Sequence, residues 1–235
     1  MQHIACRNCP EFDQANTACS VSFGTPLRKC VVASIEAHFF DCAGLECLEL
    51  GFGRFKLARN LILRSGGQWT GIDPAQPASK KAGLHREGRG SAAAIPFPDG
   101  TFDLVFGIQS FEHWGQKFSK GRQPADYADC LDEISRVLKP GGKIYLDAPV
   151  HFHGHEMFIM GDLPRIRQQF KPEHWQDVVM QCWRQDYAPL AKYPPNQTVL
   201  KEWPIEISSY PSDLVQHAEN SGSVWLLTIS ARKAA

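Results

Sequence analysis

Three groups of side chains in this sequence have the types and spacing to do chemistry. The first is Cys6-x2-Cys9-x9-Cys19-x10-Cys30, half of the eight cysteines in the first 30 residues. Four thiolates satisfy a tetrahedral Zn2+ or an iron–sulfur cluster of the 4Fe–4S type, and the close pair Cys6 and Cys9 resembles one knuckle of a structural metal site. The second is His151-Phe152-His153-Gly154-His155. In an extended segment side chains alternate, so His151, His153 and His155 are expected to face one way, as a metal site, a general base or a polar substrate cradle. His113 is a fourth imidazole expected to converge with them. The third is Leu48-Glu49-Leu50-Gly51-Phe52-Gly53, with Gly71-Ile72-Asp73 following. Glycines after a strand let the backbone approach a ligand closely, and an acid at the end of the next strand is placed to accept hydrogen bonds from ribose hydroxyls.

The elements that must position these groups alternate along the chain. Leu45–Leu50, Trp69–Asp73, Phe102–Gln109 and Lys143–Val150 read as buried strands. Residues 31–40, Phe55–Arg64 and Ala125–Leu138 read as helices, the last closed by Lys139-Pro140-Gly141-Gly142. Continuous apolar strands separated by helices predict a doubly wound, mostly parallel α/β sheet covered on both faces. Residues 1–40 form a cysteine-rich extension with a leading helix, and residues 41–235 the main domain. Within it, residues 151–196 are expected to be an insertion over the strand ends, with Trp175, Trp183, Tyr187, Tyr193 and Trp203 as lid or local core. Val199–Ile207 and Val224–Ser230 are expected to close the sheet as a hairpin-like pair.

The glycine turn and Asp73, taken with Ala94–Val105, Phe111-Glu112-His113 and Glu133–Gly142, resemble the class I S-adenosylmethionine-dependent methyltransferases over about Leu45–Val150. That resemblance implies a Rossmann-like fold and S-adenosylmethionine as cofactor. It places Glu49, Gly51, Phe52 and Gly53 at the methionine portion, Asp73 at the ribose, Ser91 and Ala92 beside the adenine, and Gln109 at the strand end facing the cofactor. Two positions depart from the family pattern. Phe55 replaces the third glycine, and Ser91 the acid often found beside adenine. A nicotinamide-dependent oxidoreductase would need glycine where Lys56 stands.

Composition narrows the partners. Lysine plus arginine and aspartate plus glutamate each number 25, so there is no global field to draw in nucleic acid. No run approaches the roughly 20 apolar residues of a membrane span, and a cytoplasmic protein is expected. The function these features imply is methyl transfer to an oxygen or nitrogen of a small molecule or glycan. His113, His151, His153 and His155 are the candidate catalytic residues. The alternative is a non-catalytic binding or regulatory protein that uses the cysteine segment as an interaction module.

Overall fold

The structure is a computed structural model that describes residues 26–39, 41–53, 56–75, 86–115, 125–184, 187–189, 200–202, 206–208 and 224–234. Its frame is one eight-stranded sheet. The strands are β1 (Glu46–Leu50), β2 (Gln68–Ile72), β3 (Arg86–Gly88), β4 (Phe102–Ile108), β5 (Leu138–Val150), β6 (Trp175–Arg184), β9 (Glu206–Ser208) and β10 (Trp225–Lys233). β7 (Tyr187–Pro189) and β8 (Leu200–Glu202) form a separate two-stranded ribbon. The helices are α1 (Pro26–His38), α2 (Leu57–Arg64), α3 (Tyr127–Val137) and two short ones, α4 (Glu156–Ile159) and α5 (Leu163–Arg167).

The order across the sheet is β3-β2-β1-β4-β5-β10-β6-β9. The first five strands are parallel to their neighbours, and β10 runs antiparallel between β5 and β6. The strand order therefore reverses at β1, with β2 on one side and β4 on the other. Ligands of open α/β sheets bind in the crevice at such a switch point, outside the carboxyl ends of the strands.

Both faces are covered, as continuous apolar strands require. On one face α1 and α2 lay Cys30, Val31, Ile35, Phe39, Ala58 and Ile62 against Cys47, Trp69, Phe106 and Tyr145. On the other, α3, α4 and α5 pack Leu131, Ile134, Phe158 and Ile166 against Leu48, Val105 and Leu146. α3 owes its form to an apolar stripe at helical spacing and to Asp126, whose carboxylate caps the Ala128 N–H at 2.8 Å. Fully burying one such Leu or Ile side chain stabilises the fold by roughly 1.5–3 kcal/mol.

The carboxyl-terminal third differs from expectation. Trp175–Arg184, expected within an insertion over the strand ends, is a strand of the sheet, and its Trp175 and Trp183 are buried core residues rather than lid aromatics. The Trp183 indole donates to Thr228 Oγ1 at 3.0 Å. β10 pairs with β5 and β6, not with the 199–207 segment, in which β8 pairs with β7 in the separate ribbon and β9 begins on the outer side of β6. The leading helix, α1, is part of the main core. Tyr193 and Trp203 lie outside the described residues.

Candidate functional site

The turn after β1 is built for close approach. Gly51 and Gly53 have φ of +72° and +45°, in the left-handed region that glycine enters without steric penalty. A Cβ on Gly51 would stand 2.8 Å from Ser110 Cβ, whereas nothing lies within 4 Å of a Cβ on Gly53. The turn is held from two sides. Gly51 N–H donates to the Ile72 carbonyl at 2.8 Å, and Gly53 N–H donates to Asp73 Oδ2 at 3.1 Å. Asp73 Oδ1 accepts the Ala75 N–H at 2.7 Å. Asp73 therefore sits at the end of β2 with its carboxylate against the glycine turn. A carboxylate oxygen can accept a second hydrogen bond, so both oxygens retain capacity for ribose hydroxyls.

The remaining expected cofactor residues divide. Phe52 is buried, edge-on to Trp69 with ring centroids 5.6 Å apart, and Lys56 Nζ lies 4.5 Å above its ring. Ser91 starts a tight turn, bridging to Ala94 and accepting the Ala93 N–H, and the partly buried Ala92 packs on the core. Gln109 follows β4 at φ +51°, and its backbone N–H and side-chain Nε2 both donate to Asp147 Oδ1 at 2.8 Å. Glu49 is buried. Its carboxyl is closed to solvent on the α1 and α2 face and accepts the Trp69 indole N–H at 2.8 Å. Burial pushes its pKa up to about 8, and that of Asp147, also enclosed, up to about 7. Phe55 lies outside the described residues.

The histidines separate in the same way, because residues 151–155 are a string of bends rather than an extended strand. His151 has φ +60° and its Nδ1 is 3.2 Å from the Ile159 carbonyl. His155 caps α4, its Nδ1 accepting the Met157 N–H at 3.3 Å. Burial holds the pKa of both below the usual imidazole value, with Arg165 adding to the effect at His155. His153 instead turns towards His113, their rings stacked at 5.1 Å and 18°. Between them lies Glu112, which the sequence offered within Phe111-Glu112-His113 but not as a site residue. It is fully buried on the short turn after β4, and its Oε1 is 3.6 Å from His113 Nε2 and 3.4 Å from His153 Nε2.

Two details of the chain bring this trio together. Gly154 has φ +109°, and a Cβ there would stand 2.7 Å from Glu112 Cβ. The His155 N–H donates to the Glu112 carbonyl at 2.7 Å. Only glycine lets the two turns meet so closely. The sequence signal was present in the Glu112-His113 dipeptide at a strand end, but a lone glutamate on a turn does not announce that it will be enclosed.

Of the four cysteines of the N-terminal series, Cys30 lies among the described residues. Cys30 lies on the sheet-facing side of α1 as a buried free thiol, and burial pushes its pKa up to about 12. In that environment the thiol packs as a small hydrophobe. Cys6, Cys9 and Cys19 lie outside the described residues.

Residues 48–146 match the family model described as "Methyltransferase domain". Over this stretch the chain is similar to methyltransferase domains. The chain is 34% identical over 150 residues to a demethylmenaquinone methyltransferase of Thermus thermophilus, covering 57% of this chain and 59% of that protein. A sterol 24-C-methyltransferase of Gibberella zeae is 28% identical over 109 residues, 42% of this chain and 26% of its own length. The chain thus spans only about 59% and 26% of the length of these relatives. Among solved structures, phosphoethanolamine N-methyltransferase 2 of Haemonchus contortus with S-adenosyl-L-methionine has the same fold, with TM-score 0.56 and 17% identity. That match covers 100% of this chain and 60% of that one. The putative methyltransferase of Haloferax volcanii solved with its Trm112 activator covers 96% and 98%, with TM-score 0.53 and 19% identity. No helix among the described residues is long and apolar enough to cross a membrane.

Proposed function

We propose that the chain binds S-adenosylmethionine at the β1–β2 turns and transfers its methyl group to an oxygen or nitrogen of a small molecule or glycan. The observation that carries the reading is the cradle itself. Gly51 and Gly53 take left-handed conformations, the space beyond Gly53 is open, and Asp73 is locked against the turn by the Gly53 N–H. These residues fit the cofactor. The backbone from Gly51 to Gly53 faces the methionine portion, Asp73 accepts from the ribose, and Ser91 and Ala92 border the adenine. When bound, the cofactor supplies an already electrophilic methyl carbon, so this chain's residues have only to hold the acceptor in line and manage its proton.

The imidazoles of His113 and His153 lie at the loops after β4 and β5, the carboxyl ends of strands on the same edge as the glycine turn. They are the side chains we assign to the acceptor. Residues 151–174 supply the acceptor's other contacts. The five described cysteines are free thiols, which suits a reducing compartment such as the cytoplasm.

Isothermal titration of S-adenosylhomocysteine tests the cofactor site. Asp73→Ala removes charge-assisted hydrogen bonds worth about 1.5–3 kcal/mol each, so affinity should fall at least about tenfold. Asp73→Asn should fall less, because one acceptor oxygen remains. Equal affinities for the three proteins would place the cofactor elsewhere.

A further inference from the structure

We propose that Glu112, His113 and His153 bind one divalent transition-metal ion, zinc or a metal of like preference, whose open coordination positions take the oxygen of a hydroxylated acceptor. The second half of this proposal rests on the methyl-transfer reading above; the first does not.

Glu112 is the decisive residue. Its side chain is fully buried, and neither carboxylate oxygen accepts a hydrogen bond from any described residue. A buried carboxylate without hydrogen bonds is strongly disfavoured, and proteins retain such groups when they are paired or coordinate a metal. Three described ligand atoms, one each from Glu112, His113 and His153, lie within 4.8 Å of one another. The spacing is informative. Both imidazole Nε2 atoms stand 3.4 and 3.6 Å from the same Oε1, too far for good hydrogen bonds. Ligands about 2.1 Å from a zinc ion at tetrahedral angles stand about 3.4 Å apart, the edge of the coordination tetrahedron. The atoms are thus separated as ligands around an ion are.

The donor set agrees. Two imidazoles and one carboxylate suit zinc and its first-row neighbours and are a poor match for Mg2+ or Ca2+, which prefer oxygen. Three protein ligands leave a position open, the pattern of catalytic rather than structural zinc. Side-chain exposure is graded from 0% at Glu112 through 15% at His153 to 36% at His113, so the open side faces outward. A second buried oxygen without a hydrogen bond, Gln109 Oε1, belongs to the same strand-end turn.

At this edge an acceptor hydroxyl bound to the ion is held with its pKa lowered. It gives its proton to solvent, its oxygen pair forms the O–CH3 bond, and the S–CH3 pair returns to sulfur. No oxidant or reductant is needed.

The test uses the full chain, stripped of metal and titrated with Co2+ and Zn2+. Cobalt bound by nitrogen and oxygen shows visible bands without the near-ultraviolet charge-transfer bands of thiolates, which separates this site from the cysteines. The wild type should take up one such ion. Glu112→Gln and His153→Ala should weaken it at least about tenfold, while S-adenosylhomocysteine affinity stays within about threefold in all three. Glu112→Gln keeps the shape of the buried side chain and so should fold, as circular dichroism will show. Absence of nitrogen–oxygen cobalt bands in the wild type, or equal bands in both variants, overturns the site. Metal binding without any S-adenosylhomocysteine binding would leave the site standing and sink the methyl-transfer reading instead.

Discussion

Glu49 and Asp147 are carboxyl groups enclosed where water cannot stabilise their charge, and this makes stability depend on pH in an unusual direction. The folded Glu49 holds its proton up to about pH 8, whereas an ordinary glutamate releases it near 4.5. Between those values the unfolded chain binds fewer protons than the folded one, so the contribution to stability is full below about pH 4.5 and is lost as pH rises towards 8. Glu49→Gln cannot ionise and still accepts from the Trp69 indole. Its melting temperature should match the wild type near pH 4.5 and exceed it by a few degrees at pH 8. A gap between the two proteins that does not change with pH would show that Glu49 ionises normally in place. His155 calls for a different experiment. As the cap of α4 it accepts from the Met157 N–H, and His155→Ala should cost about 1 kcal/mol of stability. Thermal melts should register that loss while the cobalt bands persist. Loss of the bands in this variant would make His155 a ligand.

The loop before β4 is tied to α3 by Glu133, which accepts the Ile95 N–H at 3.0 Å, and above all by Arg136. Arg136 donates to Glu133 through Nε and Nη2 at 2.8 and 3.0 Å, to Asp99 at 2.7 Å, and to the carbonyls of Phe97 and Ile95 at 2.9 and 3.0 Å. The planar fork of arginine is what reaches these acceptors together, and a lysine cannot. The group is about one-third exposed and Asp99 is mostly exposed, so solvent discounts the ion pairs. Arg136→Ala should therefore cost about 1–3 kcal/mol, and Arg136→Lys most of that loss, both measurable by urea unfolding; a lysine variant as stable as wild type would show that charge alone suffices. Elements of this kind were legible in the sequence where local spacing defined them. Periodicity and turn residues revealed β1, β2, β4, β5, α2 and α3, because each buries a face of regular spacing. The glycine turn and Asp73 were legible for the same local reason. What was not legible depended on distant partners. β6 has exposed residues on its outer face and lies beyond two short helices, so its spacing did not separate it from an insertion. Cys30 belongs to a cysteine series by spacing and to the core by the face of α1 it occupies. Glu112 became visible only when Gly154 brought a second turn against it.

At the scale of the whole molecule the sheet has two cores that share strands, and only one of them underlies the site. Phe111, next to Glu112, is fully buried among Trp114, Tyr127, Phe158 and Phe170, with ring centroids 4.9 to 6.2 Å away. This aromatic cluster joins the turn after β4 to α3, α4 and the end of α5. Phe106, on β4 itself, is equally buried but faces α1, edge-on to Phe39 at 4.7 Å. Phe106→Leu and Phe111→Leu remove the same atoms from two fully enclosed positions, and each should cost on the order of 1–2 kcal/mol. Because both cores bear on one sheet, each variant should shift one main urea transition rather than split it. Their effects on the site should differ. Phe111→Leu loosens the turn that aims Glu112 and His113, and ligands must be held within about 0.5 Å to work, so cobalt affinity should fall several-fold. Phe106→Leu leaves that turn supported and should keep metal and S-adenosylhomocysteine affinities within about threefold. If the two variants weakened metal binding equally, the loss would follow global stability, and the aromatic cluster would have no special hold on the site.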